Sequence, residues 1–80
     1  MNSIEIISRW IDIAHRYNMN DRVAQFWLLR DFAEQSVWSD RFYKEHAQEA
    51  WIILVELDDT KPEVKIVLDE LLPIVKGYMV

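Results

Sequence analysis

Between Ile4 and Tyr17 the apolar residues Ile4, Ile7, Trp10, Ile11, Ala14 and Tyr17 recur three or four positions apart. Glu5, Arg9, Asp12 and Arg16 fall on the opposite side of a helix that turns about 100° per residue. This spacing predicts a helix over residues 3–17, supported by Glu5 with Arg9 and Asp12 with Arg16 as opposite charges one turn apart. The stretch NMND, Asn18 to Asp21, reads as a turn in which the Asn20 side chain caps a second helix. That helix should run to about Gln35, with Phe26, Leu28, Leu29, Phe32 and Ala33 on its inner arc. Trp27 points the other way, among Val23, Arg30, Asp31 and Glu34. SVWSD, Ser36 to Asp40, interrupts the pattern, and Ser39 is placed to cap a third helix beginning near Asp40.

The third segment contains the densest apolar run, Trp51 to Val55, followed by Glu56, Asp58 and Asp59. The β-branched Ile52, Ile53 and Val55 would suit a strand, and a hairpin with VKIVLDEL downstream is the competing reading of residues 50–71. Helix is favoured for two reasons. Phe42, Ala47, Ala50, Trp51, Leu54 and Leu57 keep a helical period through a segment with no breaker. TKPE, Thr60 to Glu63, also has the form of a capping box with proline in the first turn, so a further helix over about 61–76 should start there. Val64, Val67, Leu68, Leu71, Leu72 and Val75 form its inner face, Pro73 should kink it, and Gly77 should cap it before the apolar tail Tyr78 to Val80. The expected fold is all-α, a compact bundle of about four short antiparallel helices in a single domain, residues 1–80.

Composition adds three constraints. A chain of 80 residues buries only about 60% of its unfolded surface, yet apolar residues make up 51% of this one. Part of that apolar surface is then expected to face solvent or another chain, and a homodimer is the simplest cover. There is no cysteine, no basic leader and no apolar run near the ~20 residues of a membrane span, so a cytoplasmic protein without membrane contact is expected. The net charge of −5 lies wholly in the second half. Residues 1–44 carry equal numbers of acids and bases, whereas 45–80 carry Lys61, Lys65 and Lys76 against Glu45, Glu49, Glu56, Asp58, Asp59, Glu63, Asp69 and Glu70. Such a field attracts basic surfaces and disfavours direct binding of nucleic acid.

Residues that could carry chemistry are few. His15 and His46 lie on different helices without metal-ligand spacing, so no metal and no cofactor are expected. A glycine-rich phosphate loop is excluded by the single glycine, and no serine sits in a nucleophile elbow. The serines are explained by helix ends and polar faces. Asp58 and Asp59 fall at an exposed helix end, where strong pKa perturbation is not expected. A helix-turn-helix reading of residues 3–35 fails on charge, since the second helix offers Arg22 and Arg30 against Asp21, Asp31 and Glu34. No enzyme is expected.

Binding is the remaining class. The third helix should set Glu45, Glu49, Glu56 and Asp59 within about 80° of one another, with Ile52 in their midst. The plain reading is a solvated face with one stray isoleucine. The sharper one is an apolar contact ringed by carboxylates. Among four tryptophans, Trp10 reads as core and Trp51 as the core boundary or a dimer contact. Trp27 and Trp38 read as surface anchors, although Trp38 can equally staple its loop ahead of Ser39. The expected function is a small acidic interaction module, an inhibitor or regulator in the style of antitoxins, immunity proteins or phage antagonists, nucleic-acid mimicry among its forms. It would occupy a basic or mixed surface of a protein partner through Trp27, Trp38, Glu45, Glu49, Ile52, Glu56 and Asp59. The alternative is a structural or assembly subunit, a helical homo-oligomer or chaperone-like component.

Overall fold

A computed structural model describes residues 1–79 and contains α1 (Ser3–Arg16), α2 (Asn20–Glu34), α3 (Asp40–Val55) and α4 (Pro62–Tyr78). Among the described residues there is no strand, so the run Trp51 to Val55 is the last turn and a half of a helix. The connections, residues 17–19, 35–39 and 56–61, are short, as antiparallel neighbours in a bundle require. The radius of gyration, 11.9 Å, matches the roughly 11.6 Å of a compact chain of this length. Val80, the end of the apolar tail, lies outside the described residues.

The bundle is built as two helical pairs. α1 packs most extensively on α2 and α3 on α4, with α4 also touching α1 and α2, and α2 touching α3. Ile6, Ile7 and Ile11 of α1 meet Leu29 and Phe32 of α2, Tyr43, Ala47, Ala50, Ile53 and Leu54 of α3, and Val67, Leu71 and Val75 of α4 in one core. Phe32, Phe42, Tyr43 and Tyr78 add an aromatic cluster, with ring centroids 5.0–6.0 Å apart. The buried Tyr43 hydroxyl donates to the Asp31 carbonyl at 3.0 Å, so the core's phenol carries no unmet polar group.

Several local expectations are corrected. The inner face of α1 is rotated towards Ser3, Ile6 and Ile7, and Tyr17 is a mostly exposed C-cap just past the last turn. Ser3 can be fully buried because its amide and hydroxyl both donate to one oxygen of Glu70 on α4. Asn20 is already helical and the N-cap is Met19, without a side-chain bond, whereas a true cap forms at Asn2, whose side chain accepts from the Glu5 amide at 3.0 Å. Ser39 occupies the N-cap of α3 but makes no capping bond. The capping box at Thr60 does not form, because Thr60 donates its amide and hydroxyl back to Asp58. α4 therefore opens at Pro62, a position where proline loses nothing by lacking an N–H. α4 continues unbroken through Pro73, and Gly77 lies inside it, with Met79 as the C-cap. The left-handed positions fall instead at Asn18 (φ 54°) and Gln35 (φ 58°).

Candidate functional site

On α3 the acidic stripe forms up to Glu56. Glu45, Glu49, Ile52 and Glu56 line one shallow groove, completed by Gln48, Ile53 and, from α2, Gln25. Asp59 is corrected: α3 ends at Val55, so Asp59 stands in the following turn, where helical spacing no longer places it on the stripe. Ile52 is 48% exposed, as expected of an isoleucine off the inner face. It is not a stray residue, because Val55, one turn along on the same outer side, is 55% exposed. Val55 was missed by sequence reasoning, though its position three residues after Ile52 was a readable signal. The flanking charges are only lightly neutralised: Arg41 pairs with Glu45 at 3.0 Å on an open surface, and His46 Nδ1 lies 3.4 Å from Glu49.

The tryptophans divide into inner and outer pairs. Trp10 packs its ring 5.4 Å from Phe26 at the edge of the core, and Trp51 also lies against the core as a boundary residue. Trp27 is 44% exposed, with the Arg30 guanidinium 5.3 Å from its ring centroid. Arg30 is itself fixed by donating Nε to Ser8 Oγ and by pairing with Glu34, both at 3.0 Å. Trp38 is half exposed, yet its indole N–H donates to Asp31 at 3.0 Å and its ring stacks on Phe42 at 4.8 Å. Phe42 in turn lies 4.4 Å from the His46 ring. Trp38, Phe42, His46 and Glu49 therefore form a chain of contacts from the α2–α3 loop to the acidic stripe. Asp31, one turn after Trp27 on α2, stands between the two outer tryptophans.

A third surface was not anticipated. Trp10, Ile13, Met19, Phe26, Leu57 and Val64 line a cleft of about 330 Å³ where the α1–α2 turn faces the α3–α4 connection. Arg22, Asp58, Lys61 and Glu63 also line it. Ile13 and Met19 are each nearly half exposed there. The pKa of Asp58 is lowered from the ordinary aspartate value, first by the hydrogen bonds that its carboxylate accepts from the Thr60 hydroxyl and amide, and then by Lys61. The readable signals for this cleft were two apolar residues that the pattern left unused, Ile13 beside the α1 face and Met19 in a turn.

Among the described residues no three histidine or acidic side chains converge as metal ligands, and no helix is long and apolar enough to cross a membrane. Comparisons with models of protein families, with curated proteins and with solved structures find no match to this chain.

Proposed function

We propose that the protein is a small protein-interaction module that presents the outer face of α3 to a basic or mixed surface of a partner protein. The observation that carries this reading is the adjacent pair Ile52 and Val55, about half exposed, set against Glu45, Glu49 and Glu56. Apolar contact supplies holding energy and the carboxylates speed encounter with a basic surface. Trp38, immobilised by Asp31 and Phe42, has already lost the side-chain freedom that binding would otherwise cost, which suits an anchor at the rim. An inhibitor or regulator acting by occupancy needs nothing further from the chain.

The test is affinity capture with the tagged protein and with a variant carrying Glu45→Lys, Glu49→Lys and Glu56→Lys. A discrete partner recovered by the first and lost from the second, with circular dichroism unchanged, is the expected result. An unchanged set of partners would exclude α3 as the binding face.

A second reading is supported by a separate observation: exposed apolar residues occur on every helix, Ile13 on α1, Trp27 on α2, Val55 on α3 and Ile66 on α4. A homo-oligomer or assembly subunit would cover several of these at once. The solution mass separates the two, a monomer at micromolar concentration supporting the foreign partner and a stable dimer or larger species supporting self-assembly.

A further inference from the structure

The α3 groove and the cleft at the α1–α2 turn are parts of one surface. Glu56 lines the groove, and the next two residues, Leu57 and Asp58, line the cleft. On the α2 side the same junction is bridged by a hydrogen bond, Arg22 Nη1 of the cleft donating to Gln25 Oε1 of the groove at 3.0 Å. Together the linings hold five carboxylates, Glu45, Glu49, Glu56, Asp58 and Glu63, against two cations, Arg22 and Lys61, while Arg41 and Arg9 outside the linings pair with Glu45 at 3.0 Å and with Glu63 at 4.0 Å. Arg22 donates to the neutral Gln25, and Lys61 stands near Asp58. The cleft itself is walled by aromatic and aliphatic side chains. Its volume, about 330 Å³, lies at the bottom of the range for small-molecule sites, so it holds a large side chain more readily than a cofactor.

We infer that this cleft receives a large apolar side chain from a basic segment of the partner protein, whose cationic residues lie along the acidic groove of α3. The inference rests on the reading that α3 is the binding face, and it deepens that reading by stating what the partner must present. A segment of opposite charge with one apolar anchor matches both halves of the surface. Ile13 and Met19 are the residues that would leave water on binding.

The probe is a synthetic amphipathic peptide of leucine and lysine at helical spacing, titrated into protein with labelled isoleucine, leucine, valine and methionine methyls at physiological salt. The expected result is saturable shifts at Ile13, Met19 and Val64 together with Ile52. Ile13→Gln and Met19→Gln, at half-exposed sites and without added charge, should each weaken the peptide about tenfold with circular dichroism unchanged, as loss of an anchor contact does. Shifts at Ile52 with none at Ile13 or Met19 would overturn the cleft and leave the α3 reading standing. No shifts at either place, or equal binding of a peptide with glutamate in place of lysine, would overturn both. Concentration-dependent shifts at the cleft without peptide would assign it to a second copy of this chain and overturn the inference.

Discussion

Ile52 and Leu54 are two positions apart on the same helix and have opposite assignments. Leu54 is fully buried and Ile52 half exposed, so Leu54→Ala should cost about 2–5 kcal/mol in urea denaturation. Ile52→Gln, which adds no charge between Glu49 and Glu56, should change stability by no more than about 0.5 kcal/mol and act on partner binding instead. Equal destabilisation by both would place Ile52 in the core. At Asp58 the sign of the pH effect is fixed by the two hydrogen bonds from Thr60. An acid whose folded pKa is depressed contributes stability above its unfolded pKa, and that contribution is lost as pH falls through the folded value. Carbon NMR titration should therefore find Asp58 ionised to lower pH than an ordinary aspartate, and Thr60→Val should raise its midpoint. An unmoved midpoint would mean that Thr60 does not hold the carboxylate. The failed capping box has the same origin. A threonine three residues before a glutamate has two competing acceptors for its freedom, and the turn geometry that favours Asp58 is not written in the spacing.

At the scale of the helices, periodicity made four elements legible, because each has apolar residues at three- and four-residue spacing, although the outer sides of α2 and α3 also carry the exposed Trp27, Ile52 and Val55. Their ends were less legible. Caps depend on the conformation of one or two residues, and the burial of Ser3 depends on Glu70, which is distant in the chain and invisible to any local pattern. The only glycine is informative in this respect. Gly77 lies within α4, its φ is not positive, and a Cβ built there meets nothing within 4 Å. Gln35 instead ends α2 in the left-handed region that favours glycine. Gly77→Ala and Gln35→Gly should each therefore raise stability, by about 0.5–1 kcal/mol. In a domain of this size that is an increase in Tm of a few degrees, measurable by thermal denaturation. A fall in Tm for Gly77→Ala would contradict its helical placement.

For the whole molecule, the all-α bundle followed from pattern, scarcity of glycine and proline, and short connections. The surplus of apolar residues correctly required exposed apolar surface, but its location did not follow from composition. Half of the candidate site was legible because it lies on α3 and its C-cap, where Glu45, Glu49, Ile52 and Glu56 share a side through simple spacing. The cleft was not legible, since Trp10, Met19, Leu57 and Val64 come from four segments that only the folded chain brings together. The proposed partner surface spans both, and it can be tested without knowing the partner. A photo-reactive amino acid placed at Ile52, and in a control at the exposed His15 on α1, should be activated in the cells that make the protein. If α3 is the binding face, position 52 yields a discrete cross-linked complex with another protein and position 15 does not. Cross-links from position 52 only to copies of the same chain, or to nothing beyond what position 15 gives, would contradict it.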